Sequence, residues 1–244
     1  LNVWFDYNNN GVLTDSGEQI ATNMTIPTGT TSGTVNVTTT VPANAVTGTA
    51  VGIRFRLSAP SGLGPTGTND LAGEIEDYVL TIAAPTTDFG DFTGFADASS
   101  ISVSGLKIGA TTDTEYLSTR NATATGDDIT GVDDEDGVTL PALTAGRTAT
   151  LPVTVTNTTG ATAYLNVWID FNNNGVLTDA GEQVAANVAV TGNVSGVTQN
   201  LGITVPAAAV TGVNLGARFR LTSIASPGAT GAGGNGEVED YIVS

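Results

Sequence analysis

Residues 1–18 read LNVWFDYNNNGVLTDSGE, and residues 165–182 read LNVWIDFNNNGVLTDAGE. Each copy contains Asp-x-Asn-x-Asn-Gly, as Asp6, Asn8, Asn10 and Gly11 and again as Asp170, Asn172, Asn174 and Gly175. A carboxylate follows in both, Glu18 and Glu182, with Asp15 and Asp179 as competing acids. Oxygen ligands at alternate positions, a glycine for the sharp turn and a closing carboxylate are how a short loop wraps Ca²⁺. Val12 and Val176 would add backbone carbonyls. The pattern departs from an EF-hand, because six residues rather than five separate glycine from glutamate. Strands rather than helices are also expected on either side. The competing reading is an Asn-Gly turn that binds nothing. Two near-identical copies with a closing acid favour Ca²⁺ over that, and over Mg²⁺, which prefers to keep its waters.

The duplication runs well beyond the loop. Trp4 matches Trp168 at an offset of 164, and Gly73-Glu-Ile-Glu-Asp-Tyr78 matches Gly236-Glu-Val-Glu-Asp-Tyr241 at an offset of 163. Val51-Gly-Ile-Arg-Phe-Arg-Leu57 matches Leu215-Gly-Ala-Arg-Phe-Arg-Leu221 between them. In the second copy, strands are expected at about 164–170, 183–190, 197–205, 214–222 and 237–243, separated by Gly, Asn and Pro turns. Short strands without helical periodicity predict an all-β chain of tandem Ig-like β-sandwich repeats. Residues 138–143 and 147–157 read as two further strands, so the second sandwich is expected over 137–244. The first repeat, 1–82, has no equivalent of those two strands and is read as N-terminally incomplete. Its open edge would leave unpaired backbone and part of an apolar face, including some of Val3, Phe5, Ile53 and Phe55. Residues 83–136 read as an acidic Gly/Asp/Thr-rich linker segment.

Composition narrows the function. The 244 residues carry 24 acidic against 7 basic side chains, a formal net charge of −17. That balance repels nucleic acid and anionic membrane surfaces and suits a chain loaded with cations. Cysteine and histidine are absent, which removes disulfides, thiolate nucleophiles, the usual zinc ligands and the commonest general base. No apolar span is long enough to cross a membrane as a helix. The paired glutamates of the closing motifs sit at i, i+2, whereas glycosidases bring their carboxylates from opposite sides of a cleft. An enzyme is therefore not expected.

The closing motif poses a puzzle of faces. In an ideal strand Asp240 shares the apolar face with Val238 and Ile242, so it must reach a cation or an arginine, or a bulge must re-aim it. Asp77 stands in the same place in the first copy. Glu237 and Glu239 share the other face, where a ladder with Arg218 and Arg220 is favoured over metal binding. Asp134 and Asp136, within Asp133-Asp-Glu-Asp-Gly137, form a possible third cation site or a solvated acidic run. Trp4 and Trp168 either pack over the loop or form an exposed stacking platform for sugar.

These motifs together resemble the GEVED domain of secreted and cell-surface bacterial proteins. The closing Gly-Glu-Val-Glu-Asp at 236–240, its variant at 73–77, the Trp-x-Asp-x-Asn-x-Asn-Gly loops, the Ala-Arg-Phe-Arg-Leu strand at 217–221 and the upstream Asp88-Phe-Gly-Asp91 carry the resemblance. It implies an extracellular, non-catalytic, calcium-binding structural or adhesive module, repeated in large adhesins or appended to secreted hydrolases. The expected partners are copies of itself or neighbouring repeats, joined head-to-tail by strand pairing into a filament. The alternative is a calcium-dependent carbohydrate-binding module that meets surface glycans.

Overall fold

The computed structural model describes all residues except 31, 43, 60, 69–71, 127, 129–132 and 244. It consists of strands and connecting loops, in two compact units, Leu1–Ala84 and Pro85–Ser244. No helix is long and apolar enough to cross a membrane among the described residues.

The first unit holds β1 (Asn2–Phe5), β2 (Gln19–Ala21), β3 (Ala50–Ser58) and β4 (Gly73–Thr81), in one sheet of order β2-β1-β3-β4. The second unit holds β5 (Thr87–Phe89), β6 (Ala98–Ile101), β7 (Leu106–Ile108), β8 (Thr148–Asn157), β9 (Ala163–Ile169), β10 (Gln183–Val190), β11 (Val194–Thr204), β12 (Leu215–Thr222) and β13 (Gly231–Val243). Its strands form a six-stranded sheet, β10-β9-β12-β13-β6-β5, and a three-stranded sheet, β11-β8-β7. All pairings are antiparallel except β13 with β6. The order β10-β9-β12-β13 repeats the order of the first unit, as the duplicated sequence requires.

One apolar cluster draws on both sheets of the second unit. Leu165, Val167 and Ile169 of β9 and Ala217, Phe219 and Leu221 of β12 meet Leu151, Val153 and Val155 of β8, Ile203 of β11 and Ile108 of β7. Alternation puts every second residue of each strand in this layer. Phe219 is fully buried, edge-on to Tyr241 with ring centroids 5.3 Å apart.

The stretch 83–136, expected as a linker, is in good part a component of this fold. β5 and β6 extend the sheet beyond β13, and β7 pairs with β8. These strands have only three or four residues and little alternation, so their pairing comes from tertiary contacts rather than local pattern. The strand expected at 138–143 is reduced to a bridge between Val138 and Val153.

The first unit has a smaller core of Val3, Phe5, Tyr7, Ala21, Ala45, Val51, Ile53 and Ile82. Of Val3, Phe5, Ile53 and Phe55, some of which were expected on an open apolar face, the first three are buried and Phe55 is half-buried. The open part lies instead on β4, all nine residues of which are exposed, Val79 at 73% and Tyr78 at 54%. Residues 33–40 match β11 in sequence yet form no ladder. In the second unit β11 pairs with β8, and the described residues of 1–84 include no strand equivalent to β8. A strand without a partner is not stable in water.

β13 begins irregularly. Gly236 has φ of +148°, and a Cβ there would lie 1.9 Å from the Leu221 carbonyl oxygen. Gly236→Ala should therefore cost the second unit about 3 kcal/mol through strain and clash. Chemical denaturation measures it, and a loss under about 1 kcal/mol would show that β13 shifts to absorb the methyl.

Candidate functional site

The two Asp-x-Asn-x-Asn-Gly loops have the same geometry. Each leaves the end of a central strand, where the Asp6 amide bonds to the Gly52 carbonyl at 2.9 Å and the Asp170 amide to that of Gly216 at 3.0 Å. Asp6 Oδ1 accepts from Asn10 N at 3.0 Å and Oδ2 from Gly11 N at 2.9 Å. Asp170 does the same with Asn174 N at 3.1 Å and Gly175 N at 2.7 Å. Asn9 and Asn173 adopt positive φ, as asparagine tolerates. The Oδ1 atoms of Asn8 and Asn10 accept from Asn10 N and Val12 N, and those of Asn172 and Asn174 from Asn174 N and Val176 N.

Two carboxylates flank each loop. On the outer side, Asp15 Oδ2 accepts from the Nδ2 atoms of Asn8 and Asn10, both at 2.8 Å, and Asp179 repeats this with Asn172 and Asn174. These amides hold both aspartates below the usual carboxylate range. On the inner side lie Glu18 and Glu182, each 2% exposed. Neither oxygen of Glu18 has a hydrogen-bond partner, and Glu182 has only Asn172 N at 3.3 Å on Oε1. Burial pushes both glutamates up, and neighbouring aspartates add to it. Buried carboxylate oxygens without donors, beside a second aspartate, fit a hard cation.

The closing strands differ between the copies. In the second unit, Arg218 lies directly opposite Asp240 and Phe219 opposite Glu239. Arg218 Nε and Nη2 hold Asp240 at 2.8 and 2.7 Å, with both side chains fully buried. Residues 90–96 cover the pair: Phe92 N donates to Asp240 at 3.1 Å, Arg218 Nη1 reaches the Ala96 carbonyl, and its guanidinium sits 5.2 Å over the Phe95 ring. Gly90 passes so close that a Cβ would fall 2.7 Å from Arg218 Nη2. In the first unit, Arg54 and Asp77 form the same bidentate pair at 2.7 and 2.6 Å, with the side chains 30% and 56% exposed.

The two copies thus share loop, sheet order, register and arginine–aspartate pair, and the family comparison matches the same two stretches. The GEVED domain family covers residues 1–81 and 164–244, more than half of the chain. The chain belongs to the GEVED family. Comparison with curated proteins and with solved structures gives no match. GEVED repeats are non-catalytic modules, and tandem copies are typical of secreted and cell-surface bacterial proteins.

Several expected site residues take other roles. Asp77 and Asp240 are held by arginines, so neither offers an open carboxylate to a cation. The Glu–Arg ladder does not form. Because Phe219 opposes Glu239, the two GEVED glutamates point with Phe219 into the core, while Arg218 and Arg220 lie on the other face. The tryptophans are 2% and 4% exposed; Trp168 packs with Phe95, Leu177 and Ala229. Neither is a platform for sugar.

The acidic run divides between two sides. Asp134 is buried and accepts from Asp113 N at 2.9 Å, and burial pushes it up to about 6. Asp136 clamps the turn after β7, accepting from Ala110 N at 2.8 Å and Thr111 Oγ1 at 2.9 Å. Asp133 and Glu135 instead meet Asp128, with carboxylate oxygens within 4.8 Å of one another. Sequence reasoning noted Asp88 only as part of the Asp88-Phe-Gly-Asp91 motif, without a role, and missed Asp113 and Glu115. Asp88 Oδ2 accepts from Val238 N at 2.5 Å, and burial followed by the charges of Asp113 and Asp134 pushes Glu115 up to about 8. The signal for Asp113 and Glu115 was acidic residues recurring in an otherwise small-residue stretch.

Proposed function

We propose that this chain is a calcium-stiffened structural repeat of a secreted or cell-surface bacterial protein, in which a segment like 85–157 from a neighbouring repeat or subunit covers the first GEVED repeat. The observation that carries this is the contrast between β4 and β13. The two share a motif, yet β4 is exposed along its whole length, while residues 236–241 are buried. What buries β13 is β6 on its edge and β7 and β8 over its inner face. An equivalent segment would give residues 33–40 the strand they lack and cover Tyr78, Val79 and Leu80. Strand addition uses unpaired main-chain groups for affinity and alternate side chains for register. A contact of this kind passes from one repeat to the next without closing, which gives an extended array or filament. The loops hold Ca²⁺ at the ends of the central strands.

The test extends the chain, placing a second copy of residues 85–164 directly before Leu1. Amides of β4 should then change from fast to slow hydrogen exchange, by roughly a hundredfold or more if covering stabilises the strand by about 3 kcal/mol. Exchange at β4 as fast as in the unextended chain would defeat the reading.

A further inference from the structure

We propose that the cavity beside the Arg54–Asp77 pair of the first repeat is a receptor for an aromatic hook, a segment of the Asp-Phe-x-Gly-Phe kind carried by a neighbouring repeat. The hook rests on the reading of the first repeat as covered from outside, and it supplies the anchor of that cover.

The second repeat carries a hook of its own. Residues 91–95 read Asp-Phe-Thr-Gly-Phe. Phe92 and Phe95 stand edge to face with ring centroids 5.0 Å apart. Their turn is held from within its own segment. Phe95 N donates to the Phe92 carbonyl at 3.2 Å, Thr93 N to that of Asn121 at 2.8 Å, and Arg120 Nη1 to that of Phe95 at 2.5 Å. Phe95 is buried against Trp168, Leu177 and Ala229, with Arg218 over its ring. A Cβ on Gly216 would fall 2.5 Å from the Phe95 ring and 2.7 Å from that of Phe92. A Cβ on Gly175 would fall 2.6 Å from the Gly94 carbonyl oxygen. Both glycines are thus the floor on which the hook sits, and only a residue without a side chain leaves it room.

The first repeat has the same seat. Leu13, Gly52, Arg54 and Asp77 stand where Leu177, Gly216, Arg218 and Asp240 do. The match extends to hydrogen bonds, since Arg54 Nη1 donates to the Pro65 carbonyl at 2.9 Å as Arg218 Nη1 does to that of Ala229. Here, however, a Cβ on Gly11 or Gly52 would meet nothing within 4 Å. The space is a cavity of about 510 Å³, walled by Leu13, Gly52, Ile53, Arg54, Asp77 and Val79. Leu13, Ile53 and Val79 offer apolar surface, the glycine floor admits a flat ring, and Arg54 offers a cation to the ring's face. The hook's backbone would serve the ion pair as well. In the second repeat Phe92 N donates to Asp240 and the Ala96 carbonyl accepts from Arg218; among the described residues, Asp77 and Arg54 have neither. Phe95 is 2% exposed in its own repeat, so a second copy of the chain would have to unseat its hook to donate it. Along the chain the hook at 91–95 precedes the repeat it serves, 164–244. A neighbour's hook joined in the same order ahead of the first repeat requires no such exchange.

The test reads the cavity by NMR in the full chain, with and without residues 85–164 added before Leu1. Two rings seated in the cavity should move the Leu13 methyl and Arg54 Nε–H resonances upfield from their positions in the unextended chain. Phe92→Ala with Phe95→Ala, made in the added copy alone, should return them. Should that variant fail to fold, Gly52→Val is made in the receptor instead, where a Cβ has open space, and should return the Leu13 methyls by filling the seat. Unmoved resonances in the extended chain, or resonances that move and then ignore both variants, would overturn the hook. Hydrogen exchange at β4 in the same samples decides the wider cover separately: slow exchange with unmoved resonances leaves the cover standing without the hook, and fast exchange with moved resonances leaves the hook without the cover. Resonances that move in the unextended chain as its concentration rises would put a second copy's hook in the cavity and overturn the assignment to a neighbouring repeat.

Discussion

Arg218→Ala is expected to destabilise the second repeat by about 3–5 kcal/mol, the usual loss when one member of a buried ion pair is removed. The same change at Arg54 should cost no more than about 1 kcal/mol, as for exposed pairs. Both arginines hold an aspartate through two nitrogens at 2.6–2.8 Å, so hydrogen-bond geometry does not separate them. Burial does. Asp240 without Arg218 would keep Phe92 N as its donor and remain a charge wholly shut off from water. Asp77 without Arg54 is more than half exposed and simply hydrates. For a unit of this size the larger loss lowers the melting temperature by roughly 10 °C. Replacing both members, Arg218→Met with Asp240→Leu, should recover much of it, because the cost lies in the orphaned charge rather than the lost attraction. Calorimetry of the three variants decides. Equal losses at Arg54 and Arg218 would mean that burial of the second pair is not what sets its energy.

That contrast explains which parts of the molecule were legible in its sequence. The loops, the repeat and the strands of the second copy could be read because their signals are local: alternating oxygen ligands, a glycine, short β-branched runs. β9 to β13 fall within a few residues of their expected places, except that β13 begins six residues early, at Gly231. That opening, Gly-Ala-Gly-Gly-Asn-Gly, carries no strand propensity and is held by β6 and by Arg220 lying across Gly233. Facing was harder to read than position. Sequence alone allows Glu237 and Glu239 to share a face with Arg218 and Arg220, or with Phe219. A register shift of one residue exchanges the two, and only the pairing of Arg218 with Asp240 settles it. Residues 83–136 were least legible, because β6 and β7 pair with strands more than 40 residues away in the chain and β5 is held in turn on β6.

The loops offer a test in which the sign of the effect, rather than its size, carries the answer. Glu182 is buried, that burial pushes it up from its ordinary value, and its Oε2 has no hydrogen-bond partner. In the absence of metal it is a liability, so Glu182→Gln should leave the chain as stable as before or stabilise it. On the proposed reading the same carboxylate is a ligand when Ca²⁺ is present, and its loss removes stabilisation gained by mass action. A ligand at a hundred times its dissociation constant contributes about 2.7 kcal/mol, which chelation would abolish. The unaltered chain should therefore melt several degrees lower in chelator, and Glu182→Gln should change sign between chelator and calcium. Asp170→Ala with Glu182→Ala should remove the second repeat's calcium dependence too, though less cleanly. Asp170 also receives Asn174 N and Gly175 N, so its loss weakens the loop whether or not an ion is bound. Glu18→Gln applies the same test to the first repeat, where neither carboxylate oxygen has a donor to lose. Thermal melts in calcium and in chelator measure all of these. An effect of Glu182→Gln that is the same in both buffers would leave the loops as turns that bind nothing.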